Sequence, residues 1–137
     1  MTSKVIYNGD LRTTNTHIRS GSQFETDAPV DNNGKGERFS PTDSLATSLA
    51  NCMITTMALK ARTMGFDLNG VEIEVEKIMR SDPRRVGIIN LFFHFPKELA
   101  NLDQANKEVL INKGETCPVM LSLHPEIQVG VDWGEWS

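Results

Sequence analysis

The chain has 137 residues and a net charge of −4, with 39% hydrophobic and 23% charged residues. This length fits a single domain over residues 1–137, and the balance of apolar and charged residues excludes an intrinsically disordered chain. The acidic excess offers no basic surface for a nucleic-acid backbone, and two cysteines are too few for a disulfide scaffold.

The amino-terminal residues are predicted to form three short antiparallel strands. Asn8-Gly9 and Ser20-Gly21 are hairpin turn signals, because glycine adopts the positive φ that tight turns require. Residues 27–41 are rich in proline, glycine and asparagine, which is typical of a loop. The predicted strands are 4–8, 11–19 and 22–27.

A long helix is predicted over residues 41–64. Ser40 can cap it, Pro41 suits its first position, and Asp43 completes a pattern that resembles a capping box. Gly65 follows the last periodic apolar residue and predicts the helix end.

The same helix is apolar around most of its circumference and almost uncharged before Lys60. The uncharged stretch 44–59 is shorter than the roughly 20 residues of a membrane-spanning helix, and the chain opens without an apolar leader. The sequence therefore predicts a cytoplasmic protein that does not enter a membrane. One sheet covers only one side of such a helix, so we expect a homodimer in which the two copies of the helix pack together. A monomer in which a second helix covers the remainder is the alternative.

The second half predicts an α+β fold in which an antiparallel sheet packs on long helices. Residues 71–76 alternate apolar and acidic residues, as in a strand with one solvated face, and the apolar run 87–95 indicates a strand buried on both faces or in an intermolecular contact. A helix is predicted over 97–113, closed by Gly114, and a short helix from Pro118 to about Leu123. A last strand carries Ile127, Val129, Val131 and Trp133 on one face.

The two cysteines are the best candidates for chemistry. Cys52 falls in the middle of the long helix, and Cys117 directly precedes a proline at a predicted helix start. Both cysteines could instead be small buried hydrophobic residues, the commonest fate of a free thiol. The helix dipole would favour a thiolate at Cys117, whereas Cys52, on an apolar face, would need a cation from elsewhere in the chain.

No pattern predicts a metal or an organic cofactor. The three histidines are scattered, and the acidic residues of 71–76 are explained by a solvated strand face. Neither a metal-ligand spacing nor a phosphate-binding glycine loop is present.

Two motifs carry a family resemblance. The run from Ser40 to Cys52, SPTDSLATSLANC, resembles the helix motif of the OsmC/Ohr family, and GETCPV around Cys117 resembles that family's second-cysteine motif. The resemblance covers essentially the whole chain. It implies a divergent OsmC-like member, with an intertwined dimer in which two sheets surround two central helices.

The resemblance also implies a peroxidase of the oxidative stress response that reduces alkyl or fatty-acid hydroperoxides. Cys52 would be the peroxidatic cysteine and Cys117 the resolving cysteine, with a Cys52–Cys117 disulfide reopened by a dithiol reductant such as a lipoyl group. No cofactor would be required, because sulfur is the redox centre. The family thus assigns the nucleophile to Cys52, whereas the helix dipole favours Cys117.

A basic residue must then reach Cys52. Arg19 is the first candidate, because RSGSQFETD resembles the stretch that holds the family's activating arginine. Arg12 and Arg38 are the alternatives, and an arginine stays charged in any protein environment. Where family members often carry a glutamate after the helix-opening proline, this chain has Thr42, and Glu37 is the candidate arginine partner.

Two other functions remain open. A non-catalytic module could bind an apolar small molecule while its thiols stay inert. A redox-regulated interaction protein could use its disulfide to change shape without turning over peroxide.

Overall fold

The computed structural model describes residues 1–137, which divide into two compact units, Met1–Leu45 and Ala46–Ser137. The fold is α+β, as predicted, with two three-stranded sheets and a long helix. No helix combines the length and the apolar character needed to cross a membrane.

The first unit is an antiparallel sheet of β1 (Ser3–Gly9), β2 (Arg12–His17) and β3 (Gln23–Asp27). The prediction that the first turn falls at Asn8-Gly9 was wrong by two residues. Asp10 and Leu11 form the turn, both with positive φ, at 52° and 61°. Gly9, with a φ of 86°, lies where the register of β1 shifts, so its conformational freedom serves a bulge.

The long helix α1 spans Pro41–Thr63, close to its predicted bounds. The capping box is complete, since the Asp43 N–H donates to Ser40 Oγ at 3.0 Å and the Ser40 N–H donates to the Asp43 carboxylate at 2.9 Å. Gly65 follows the helix with a φ of 84°, as expected of a glycine that ends a helix.

The second sheet contains β4 (Glu72–Arg80), β5 (Arg85–His94) and β6 (Gln128–Asp132). β4 and β5 pair antiparallel, but β5 and β6 pair parallel. The antiparallel prediction therefore fails for this last pair. Two parallel strands need a crossover connection, and here the remaining helices supply it.

Those helices are α2 (Lys97–Ala100), α3 (Gln104–Glu115) and α4 (Pro118–Ser122). The single helix predicted over 97–113 is thus divided. Asp103 begins a new helix by accepting the backbone N–H of Asn106 on its side chain. Gly114 does not close the helix as predicted but lies buried within α3.

One hydrophobic core occupies the second unit. It combines the inner face of α1 with alternate residues of β5 and with Leu110 of α3. The apolar run of β5 buries one face within this chain, while Phe92 on the other face stays 37% exposed. The fully buried core residues are Ala46, Leu49, Met53, Met57, Ala61, Ile89, Leu91, Phe93, Leu110 and Cys117.

Candidate functional site

Cys52 and Cys117 come together in the second unit although 65 positions separate them in the sequence. Cys52 lies in the middle of α1, and Cys117 is the residue that caps α4. Both are free thiols, and the proximity of Cys52 contributes to the raised pKa of Cys117. The fold thus produces a dithiol from two distant segments.

The first turn of α4 holds both sulfurs. The backbone N–H of Val119 donates to Cys52 Sγ at 3.5 Å, and the N–H of Met120 donates to Cys117 Sγ at 3.5 Å. Amide groups at the start of a helix lack partners within the helix, so these donors are available to sulfur. Adjacent amides therefore bind the two thiols, one each.

Burial distinguishes the two cysteines. Cys117 is completely buried, whereas Cys52 is only partly buried, with the Thr56 hydroxyl 4.0 Å from its sulfur. A molecule arriving from solvent therefore meets Cys52 before Cys117.

Burial also raises the pKa of the Cys117 thiol, and the interaction with Cys52 raises it further. The N–H groups of Met120 and Val119 oppose this shift without reversing it. The expectation that the helix dipole makes Cys117 an acidic thiol was therefore wrong. Burial removes water from around the thiolate, and this desolvation penalty exceeds the stabilisation that the N–H groups of the five-residue helix α4 give to the thiolate.

The first unit contains a separate charged cluster of Arg12, Asp27 and Glu37. Arg12 donates to both carboxylate oxygens of Asp27, from Nε at 2.7 Å and from Nη2 at 2.8 Å. Glu37 lies 3.5 Å from Arg12 Nη2, and its backbone N–H donates to Asp27. The guanidinium of Arg12 lowers the pKa of Asp27 to about 2. Within the chain, Glu37 therefore pairs with Arg12.

Of the other two candidate arginines, one forms an ion pair within the chain and the other does not. Arg38 forms an ion pair with Glu25 at 3.1 Å. Arg19 lies in the exposed turn between β2 and β3 and forms no ion pair within the chain. At the start of α1, the Thr42 hydroxyl lies 3.2 Å from Ser40 Oγ, within the cap. The two cysteines belong to Ala46–Ser137, and the candidate arginines, Glu37 and Thr42 belong to Met1–Leu45.

A model of the OsmC-like protein family matches residues 34–132, well over half of the chain. The chain belongs to the OsmC-like protein family. The matched residues include both motifs that carried the resemblance, the run from Ser40 to Cys52 and the segment GETCPV around Cys117.

Solved structures agree with this membership of the OsmC-like family. A Psychrobacter arcticus protein, described as a candidate osmotic stress induced and detoxification response protein, is 49% identical with a TM-score of 0.91. That match covers 96% of this chain and 94% of the other. A comparison with curated proteins found no match.

More distant structures share the fold. An organic hydroperoxide resistance protein OsmC of Legionella pneumophila is 18% identical with a TM-score of 0.72, and 96% of each chain is covered. An organic hydroperoxide resistance protein of Elizabethkingia anophelis, solved with thiocyanate bound, is 14% identical with a TM-score of 0.70, covering 96% of this chain and 94% of the other.

Sequence analysis did not identify two groups of this OsmC-like chain, the Asp27 carboxylate that pairs with Arg12 and the Val119 N–H that donates to Cys52. Asp27 was not singled out, although it lies directly opposite Arg12 in the register of β2 and β3. Counting outward from the predicted Ser20-Gly21 turn would have paired Asp27 with Thr14, two residues from its actual partner, so the predicted turn did not indicate this ion pair. The Val119 N–H had no signal, because a backbone donor carries no residue identity.

Proposed function

We propose that this OsmC-like protein is a cysteine-based peroxidase that reduces organic hydroperoxides to alcohols. The observation that supports it best is that two adjacent backbone N–H groups at the first turn of α4, those of Val119 and Met120, donate to the sulfurs of Cys52 and Cys117. Two free thiols this close satisfy the main requirement of a peroxidase that resolves its own sulfenic acid.

In the first step, Cys52 is the nucleophile. Its thiolate attacks the terminal oxygen of the hydroperoxide, the O–O bond breaks, and the alkoxide leaves and takes a proton to become an alcohol. Cys52 becomes a sulfenic acid. The partial exposure of Cys52 supports this role, and the N–H of Val119, 3.5 Å away, is suited to stabilise negative charge on its sulfur.

In the second step, Cys117 resolves the sulfenic acid. Its sulfur attacks the Cys52 sulfur, a disulfide forms, and water leaves. The complete burial of Cys117 and its raised pKa suit this role, because a resolving thiol is protected from direct oxidation until its partner has reacted. A dithiol reductant of lipoyl type then exchanges with the disulfide and restores both thiols.

The surroundings of Cys52 support an organic substrate. Cys52 itself packs partly buried against the hydrophobic core, as does Val119, whose N–H donates to its sulfur. Apolar contacts favour an alkyl or fatty-acid chain over hydrogen peroxide, which has no carbon to bury. Relatives of the same fold are named for organic hydroperoxide resistance, which agrees with this substrate class.

For the activating cation we propose Arg19. Arg12 is held by Asp27 and Glu37, and Arg38 is paired with Glu25. Arg19 is exposed and unpaired, so its guanidinium remains available to a thiolate. Arg19→Gln is expected to slow the reaction of Cys52 with hydroperoxide, while Arg38→Gln leaves the rate within about twofold, because surface pairs contribute little.

We further propose a homodimer. The outward side of α1 carries the exposed Leu45, Asn51, Thr55 and Leu59, of which the two leucines are 40% and 61% exposed, and its exposed charge is Arg62 in the last turn. In the first sheet, the exposed Val5, Tyr7 and Phe24 share one face, as the strand register requires. Surfaces of this apolar character are typical of an interface, and a second copy of the chain would cover them.

Hydroperoxide turnover tests the proposed function. With cumene hydroperoxide and excess dithiol, the wild type is expected to consume peroxide through many cycles. Cys52→Ser is expected to abolish turnover, and Asn51→Ser serves as a matched control at the neighbouring exposed position. A wild type that consumes no peroxide would favour a small-molecule-binding module. One equivalent consumed without further cycles, even with reductant, would favour a redox-regulated protein.

A further inference from the structure

Gly114 of α3 packs directly against the side chains of Met53 and Met57 of α1. A side-chain carbon built on Gly114 would lie 2.9 Å from Met57 Sδ, 3.2 Å from Met57 Cγ and 3.5 Å from Met53 Cε. Optimal contacts between non-bonded carbons are about 3.5–4.0 Å, and sulfur is larger. A side chain at position 114 would therefore require either the Met57 side chain or α3 to move.

The methionines have little room to yield. Met53 and Met57 are both completely buried in the core of the second unit. A close-packed interior transmits such a displacement, because its side chains have few voids into which to move. An added methyl group at position 114 would therefore displace α3 away from α1.

A displacement of Gly114 would also move Cys117, because the two residues are joined by a backbone hydrogen bond. The N–H of Cys117 donates to the Gly114 carbonyl at 3.2 Å, so Cys117 moves with the end of α3. Two residues later, the Val119 N–H donates to Cys52 Sγ at 3.5 Å. A small separation of α3 from α1 would lengthen this contact and part the sulfurs.

We propose that Gly114 is a positioning residue, whose missing side chain sets the approach of Cys117 to Cys52 and hence the ease of disulfide formation. This inference rests on the proposed function, since it assigns a residue to the resolving step. Gly114 touches neither sulfur and acts through the helix contact alone.

The equilibrium with glutathione measures this effect without any hydroperoxide. Cys52 and Cys117 as thiols react with one oxidised glutathione to give the protein disulfide and two reduced glutathione molecules. Two electrons and two protons leave the protein thiols in this exchange. The equilibrium constant reports the effective concentration of one thiol toward the other.

Gly114→Ala is expected to lower this equilibrium constant about tenfold or more, because a misplacement near 1 Å can cost up to about a hundredfold in reactions between positioned groups. Gly114→Ala/Met57→Ala removes the obstructing atoms and is expected to return the constant to within about threefold of wild type. Met57→Ala alone is the control, since it weakens packing without moving α3 away from α1.

The outcomes separate this proposal from the proposed function. An unchanged constant in Gly114→Ala, or a loss that Met57→Ala does not repair, would overturn the role of Gly114. A loss equal to that in Met57→Ala alone would also overturn it, since weakened packing would then explain the change. A lowered and repaired constant in a protein that consumes no hydroperoxide would support Gly114 while the proposed peroxidase fails.

Discussion

The backbone N–H of Val119 lies 3.5 Å from the sulfur of Cys52, across 67 positions of sequence. This contact joins the middle of α1 to the first turn of α4, where Cys117 is the cap. It places an uncharged hydrogen-bond donor on the more exposed of the two thiols, without any side chain being required.

Removal of this donor tests its part in the chemistry of Cys52. Val119→Pro deletes the N–H, and proline is tolerated in the first turn of a helix. A hydrogen bond to a charged group contributes about 1.5–3 kcal/mol, so alkylation of Cys52 by iodoacetamide at neutral pH should slow about tenfold or more. The rate is measured in a Cys117→Ser background, so that one thiol reacts.

Val119→Ala is the matched control for that change, because it shortens the side chain and keeps the N–H. Its alkylation rate is expected to stay within about twofold of wild type. Equal slowing in both variants would mean that the side chain, and not the amide, influences Cys52.

The division of roles between the cysteines predicts where a sulfenic acid accumulates. In Cys117→Ser, one equivalent of hydroperoxide should leave a long-lived sulfenic acid on Cys52, because no second thiol can condense with it. In Cys52→Ser, the buried Cys117 should remain largely unlabelled. A dimedone-type probe followed by peptide mass spectrometry locates the label. Label on Cys117 in Cys52→Ser, with none on Cys52 in Cys117→Ser, would reverse the assigned roles.

The ion pair of Arg12 with Asp27 predicts a pH-dependent stability. The pKa of Asp27 falls from its ordinary value of 3.8 to about 2 in the folded protein, chiefly through its hydrogen bonds from Arg12. The unfolded chain therefore binds more protons in this window, and stability falls with falling pH. The stabilisation is present above about pH 4 and is lost as the pH falls through about 2.

Thermal unfolding at several pH values measures this effect. Asp27→Asn should lower the midpoint near pH 6, and its difference from wild type should shrink as the pH falls from 3.8 toward about 2. Glu25→Gln, which breaks the more exposed pair with Arg38, is the control and should shift the midpoint little at any pH. A constant difference between wild type and Asp27→Asn would contradict the assigned ionisation.

The outward side of α1 carries no charged residue between Leu45 and Leu59, which predicts the effect of a charge on assembly. Leu59 is 61% exposed in the single chain, so Leu59→Lys should leave the chain folded and weaken the proposed dimer. Burying an unpaired charge in an interface costs several kcal/mol, enough to shift a dimer toward monomer at micromolar concentration. Light scattering after size exclusion gives the mass, and Leu59→Met is the apolar control. If the wild type, Leu59→Lys and Leu59→Met all form dimers of equal stability, the interface does not include Leu59.

Local sequence predicted much of this fold. The Ser40 and Asp43 cap, the start of α1 at Pro41 and its end before Gly65 all depend on residues within a few positions of each other. Backbone geometry and short-range hydrogen bonds are encoded locally, so such signals can be read without knowing the fold. The family resemblance of the two cysteine motifs was confirmed for the same reason, since each motif is contiguous.

Tertiary structure decided what depends on distant partners. The parallel pairing of β5 with β6 and the close approach of Gly114 to Met57 each join segments far apart in the sequence. The pKa of Cys117 is raised, opposite to the direction that the helix dipole predicted, because desolvation depends on everything packed around a group and not on its position in one helix. The sequence by itself determined which two thiols are present and which local elements carry them; only the packed core brought their sulfurs together and removed water from one of them.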